Sequence, residues 1–162
     1  MLPIVIRPGE LEMHHISDGD TVRLGVLAGP EISPVTVILE SWEVAGAQPP
    51  NSHAHSTELF LFQRGQGMAN CDGHEVSVHA GDTLVLPQGS LHYISNTGEC
   101  RMYSITLMSP DDGFADLVRR GPMAETDDED RAVLAELPRG PAMGYGVSPG
   151  QQGAPQASRA RL

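Results

Sequence analysis

A chain of 162 residues, 40% of them apolar, has material for one domain with one core. Its formal net charge of −11 argues against DNA or RNA as a partner, because nucleic-acid binding needs a basic surface to displace counterions. All ten basic residues are arginine, which excludes Schiff-base catalysis through a lysine amine, and no apolar run is long enough to span a bilayer.

The N-terminal stretch MLPIVIRPGELE lacks a basic region followed by a long apolar segment, so no secretory signal is expected and the cytoplasm is the default location. In that setting Cys71 and Cys100 are expected to stay reduced, as small structural thiols. Residues 1–20 read as an N-terminal arm, with His14 and His15 as surface or subunit-contact residues. From Thr21 to Leu107 short strands alternate with turns, about one every ten residues, which predicts a sandwich or barrel. The predicted strands are Thr21–Leu27, Val35–Val44, Leu59–Gln63, Gly67–Cys71, Glu75–Val78, Thr83–Leu86, Leu91–Ser95 and Arg101–Leu107. Asp72-Gly73 is a two-residue hairpin signal, and Val35–Leu39 is rich in the β-branched residues of a buried strand. A short helix is predicted over Phe114–Arg120, ending at Gly121-Pro122. A second is predicted over Asp127–Leu137, opened by the capping-box spacing of Thr126 and Glu129 and stopped by Pro138. Both are expected to pack outside the barrel or on a partner subunit. Residues 21–109 thus read as the barrel, 110–138 as a helical segment, and 139–162, rich in Gly, Pro, Gln and Ala, as a disordered or loosely ordered tail.

Two clusters carry the chemistry. The first runs from Gly46 through His53, His55 and Glu58 to Gly65; the second runs from Gly81 through Pro87, Gly89 and His92 to Asn96. On an extended segment His53 and His55 point the same way, Glu58 follows at the mouth of an apolar strand, and His92 opens another strand that can complete a site. Imidazole nitrogen with carboxylate oxygen suits Fe, Mn, Ni, Cu or Zn. If Glu58 points inward, alternation turns Phe60, Phe62 and Arg64 inward too while the strand stays regular. Trp42 and Tyr103 lie on strands that can face the same cavity, and Tyr103 is a candidate to orient a substrate or donate a proton.

These clusters resemble the paired motifs of the cupin superfamily over residues 20–108. The second matches at every defining position: Gly81, five residues, Pro87, one, Gly89, two, His92, three, Asn96. The first departs slightly, with two residues between His55 and Glu58 and six between Gly46 and His53. The resemblance implies an all-β jelly-roll (double-stranded β-helix) barrel with His53, His55, Glu58 and His92 around one divalent transition metal. Iron leads, with zinc, manganese, nickel or copper as alternatives. It further implies a small-molecule substrate, a homodimer, and a metal-dependent oxidoreductase of dioxygenase type. The alternatives are a redox-neutral isomerase, lyase or polyketide cyclase, and a binding protein without turnover.

Overall fold

Alternation along the strands decides which side chains meet inside the molecule. The computed structural model describes residues 3–136; the tail expected over 139–162 lies outside them. Among the described residues ten strands run β1 (Met13–His14), β2 (Val22–Ala28), β3 (Thr36–Trp42), β4 (Thr57–Arg64), β5 (Gln66–Cys71), β6 (His74–His79), β7 (Thr83–Leu86), β8 (His92–Asn96), β9 (Met102–Ser109) and β10 (Met123–Ala124). They form two antiparallel sheets, one of seven strands ordered β10-β1-β2-β3-β9-β4-β7 and one of three ordered β6-β5-β8. This is the all-β jelly-roll arrangement expected from the sequence.

The eight predicted strands are all present, with no end moved by more than two residues. The hairpin between β5 and β6 turns through Asp72 and Gly73, both at positive φ (50° and 83°), as a type I′ turn requires. Along β3, Ile38 and Trp42 face the interior together with Glu40, while Leu39 faces outward under a second layer. With both faces covered, β3 is buried almost throughout, so the run Val35–Leu39 shows little apolar/polar alternation.

The interior core joins Val22, Leu24, Ile38, Trp42, Phe60, Phe62, Ile94 and Met108 across the two sheets. Outside the large sheet a smaller core of Leu11, Met13, Leu39, Tyr103 and Val133 sits beneath helix α2 (Asp128–Glu136). The expected arm over residues 1–20 is therefore structured in part: a 3-10 turn forms at Pro8–Glu10, β1 pairs with β2 and β10 in the large sheet, and His14, expected at the surface or a subunit contact, is buried with Nδ1 at 3.2 Å from the Gly121 carbonyl. Helix α2 packs outside the barrel as expected. Helix α1 (Phe114–Arg120) does not stay outside: Val118 enters the interior core, and Phe114 and Leu117 face the barrel cavity.

Candidate metal centre

Residues 47–53 cannot enter a regular ladder, because Pro49 and Pro50 carry no N–H. On either side of the prolines this segment still pairs with β8. The Gln48 N–H donates to the Ile94 carbonyl at 3.1 Å, and Asn51 and His92 exchange two backbone hydrogen bonds of 2.9 Å. His53 is thereby held beside the start of β8, and its carbonyl accepts the Gly89 N–H at 2.8 Å. Gly89 adopts φ 77°, a left-handed conformation that costs glycine little, and the turn after Pro87 delivers the chain to His92. Glu58, the second residue of β4, points inward from the facing sheet.

The ligating atoms of His53, Glu58 and His92 lie within 4.8 Å of one another. Glu58 Oε2 is 3.0 Å from His92 Nε2, and Glu58 Oε1 is 3.6 Å from His53 Nε2. His92 and Glu58 are only 2% and 3% exposed, yet His92 Nε2 and Glu58 Oε2 have no directed hydrogen-bond partner despite their proximity. Buried polar atoms seldom go unpaired, and a cation between them satisfies both lone pairs at once. His92 Nδ1 lies 3.0 Å from the Ser90 carbonyl, which makes Nδ1 the protonated nitrogen and leaves Nε2 free to ligate. Burial pulls the His92 imidazole down, but the Glu58 carboxylate, the Ser90 carbonyl and Asp72 outweigh it and hold the ring above its ordinary value. Two imidazole nitrogens and a carboxylate oxygen with unsatisfied lone pairs therefore fit a divalent transition metal.

The group opens on a cavity of about 350 Å³. Its walls are largely apolar, with Val22 and Leu24 from β2 and Phe114 and Leu117 from α1. Phe114 meets His53 edge-on, ring centroids 5.2 Å apart. Glu40 also lines this cavity, 2% exposed and with Oε2 unpartnered. Burial pushes its carboxyl up to about 8, the Glu58 charge adds to the rise, and the Thr106 hydroxyl offsets part of it. Sequence reading missed Glu40; its signal was an acid at an inward position of an otherwise apolar, β-branched strand.

A family model described as "Cupin domain" matches residues 38–106, which span β3 to β9. The chain carries a cupin domain. An uncharacterized protein of Aquifex aeolicus is 29% identical over 90 residues, 56% of this chain and 69% of the relative. Among solved structures, a predicted oxalate decarboxylase from Thermotoga maritima matches with TM-score 0.59 and 19% identity, covering 66% of this chain and 99% of the other. An oxalate oxidase matches with TM-score 0.54 and 21% identity, covering 60% and 55%. At such identities these two structures speak for the fold alone.

Within the cupin barrel, the residues expected from the sequence fall into three groups. His53, Glu58 and His92 come together. His55 does not join them: it is exposed on the loop before β4, its N–H 3.3 Å from an Asp112 carboxylate oxygen and its carbonyl accepting a 2.7 Å hydrogen bond from the Gln88 amide. Trp42, Phe60 and Phe62 do point inward, but as packed core with ring centroids 6.2–6.4 Å apart rather than as cavity wall.

Arg64 and Tyr103 lie on the opposite face of the sheet. A register shift between Phe62 and Arg64 breaks the alternation of β4 and turns Arg64 outward, where it pairs with Glu129 and Glu136 of α2 at 3.1 Å each. Tyr103 is buried under α2 and donates to Asp130 at 3.0 Å. Burial pushes its phenol up to about 12, with the Asp130 charge adding to the rise and hydrogen bonding to Arg101 working against it, so it is no proton donor for a reaction inside the barrel. Asn96, the last position of the second motif, is a clamp: its amide donates to the carbonyls of Trp42, Glu43 and Cys100 at 3.3, 3.0 and 2.8 Å.

Proposed function

We propose that this protein is a metal-dependent oxidoreductase of dioxygenase type, acting on a small organic molecule at one divalent metal held by His53, Glu58 and His92, with iron the first candidate. The observation that carries the reading is the convergence of two imidazoles and one carboxylate, with buried and unpartnered lone pairs, at the end of an apolar cavity. A set of two histidines and one carboxylate with open coordination positions suits non-heme iron and leaves room for substrate and dioxygen. The metal supplies Lewis acidity and, when redox-active, electrons for dioxygen. The chain does the rest. Ser90 fixes the tautomer of His92, the Asn51–His92 pairing sets the distance between the two histidines, and Phe114 and Leu117 give the cavity an apolar wall. The two solved structures, a predicted oxalate decarboxylase and an oxalate oxidase, are named for oxalate, which supports a small organic substrate without naming the one used here.

A substrate-free test uses nitric oxide as a stand-in for dioxygen on the iron(II) protein. The reading predicts a high-spin iron–nitrosyl EPR signal in wild type and its loss in His92→Ala; stoichiometric iron without that signal would overturn it. Glu40 favours a second reading. A carboxylic acid held protonated at neutral pH is a proton donor inside the cavity, as a zinc-dependent isomerase, lyase or cyclase needs. Turnover by the zinc-loaded protein in the absence of oxygen would select that reading.

A further inference from the structure

A thiol stands beside the proposed metal ligands. Cys71 ends β5, and its cross-strand partner on β8 is His92. The Asp72 N–H donates to the Leu91 carbonyl at 2.8 Å, so the next pair along carries a ladder hydrogen bond. Hydrogen-bonded and non-hydrogen-bonded pairs alternate, which makes Cys71–His92 the close kind, with Cα atoms about 4.5 Å apart. Both side chains are on the inner face of the small sheet. Cys71 is half-buried and packs against the interior core two residues after Ala69, while His92 reaches Glu58 across the barrel. The Cys71 sulfur is not among the converging atoms, so it is a neighbour of the metal group and not a ligand. The other thiol, Cys100, is exposed. It lies past the far end of β8, where its carbonyl accepts the Asn96 amide at 2.8 Å. Asn96 is four residues from His92, about 13 Å along the strand. Cys100 is thus the thiol open to solvent, and Cys71 the thiol next to the buried, unpartnered His92 Nε2 and Glu58 Oε2.

Resting on the iron site proposed above, we infer that Cys71 is a modification site directed by the metal: hydrogen peroxide reacting at the centre oxidises the Cys71 thiol to the sulfenic acid in preference to Cys100. The O–O bond of peroxide breaks and one S–O bond forms. Sulfur gives up two electrons, and the second peroxide oxygen leaves as water with the thiol proton, so the metal is unchanged in the net step. Without a metal, exposure favours oxidation of Cys100. Proximity reverses that order, because an oxidant activated beside His92 meets Cys71 at high effective concentration while Cys100 meets only peroxide in bulk water. The product sets a polar S–OH group beside a metal ligand, where the thiol packs on apolar core.

The two cysteines serve as site and control within one chain. Wild type is loaded with iron(II), loaded with zinc, or left metal-free, and then given an equimolar amount of hydrogen peroxide. Dimedone traps the sulfenic acid, and cleavage after Glu75 and Glu99 puts the two cysteines on separate peptides for mass spectrometry. Trapped and more highly oxidised forms of each cysteine are counted together. In the iron protein, modification of Cys71 is expected to exceed that of Cys100 at least about tenfold. In the zinc and metal-free samples the ratio is expected to be about one or less.

Iron-loaded protein modified at Cys100 as heavily as at Cys71 would overturn the inference and leave the metal reading standing. The same holds for a preference for Cys71 that persists in the zinc and metal-free samples. Iron content of the same samples tells the two failures apart: a wild type that takes no iron sinks the iron reading and this inference with it.

Discussion

At the scale of single residues, the two histidines of the His-x-His pair have different surroundings although they are two positions apart. Period-two alternation holds only where backbone is extended and paired, and residues 52–56 are loop. His53 is fixed by its neighbour Asn51 and by Gly89, whereas His55 is turned out by contacts of its own backbone with Asp112 and Gln88. His55→Ala is therefore expected to keep its metal in a content measurement; loss of metal would mean that the loop closes and brings His55 in as a fourth ligand. Glu40 makes a second prediction. Its folded value, about 8, lies above the ordinary 4.5, so its contribution to stability is complete below about pH 4.5 and is lost as pH rises through 8. Urea denaturation of metal-free wild type should show a decline on the order of 4 kcal/mol from this group between those limits. Glu40→Gln should remove that decline; an equal slope in both proteins would contradict it.

At the scale of elements, one irregularity on β4 decides which face is which. The register shift after Phe62 moves Arg64 outward, and no short pattern in LFLFQRG distinguishes a bulge from a regular strand. The same face carries Tyr103, so Arg64, turned inward by alternation alone, and Tyr103, expected on a strand that can face the cavity, instead hold α2. Beneath that helix Arg23 forms a two-pronged pair with Asp130 at 2.8 and 3.0 Å, and Tyr103 completes the group. Asp130 is fully buried. Asp130→Ala takes the two-pronged partner from a buried guanidinium and leaves it only the half-exposed Glu43 carboxylate, 3.3 Å from Nε, so it is expected to cost about 3 kcal/mol in chemical denaturation. Metal content should not change, because this face lies outside the barrel; a parallel loss of metal would show that α2 supports the site. Helix α1 was legible as a helix but not as part of the cavity, because its short apolar side, Phe114, Leu117 and Val118, fits burial against any surface.

At the scale of the whole molecule, most of the barrel was legible because the hairpin turn, the glycine positions and the alternating strands all agree. The second motif is local: Gly81, Pro87, Gly89 and His92 lie in the two turns that flank β7 and at the start of β8, so spacing alone places His92. The first motif depends on a loop whose path is set by tertiary pairing with β8, and spacing could not decide between His53 and His55. The cavity was the least legible part, since Glu40, Phe114 and Leu117 meet only when β3, α1 and the site loop are assembled. The central claim is that this assembly holds one metal through His53, Glu58 and His92. Metal content by plasma mass spectrometry on untagged wild type, after reconstitution, beside His92→Ala tests it most directly. Near-stoichiometric metal in wild type that disappears in the variant is the predicted result. Wild type without metal, or a variant that keeps it, would contradict the account.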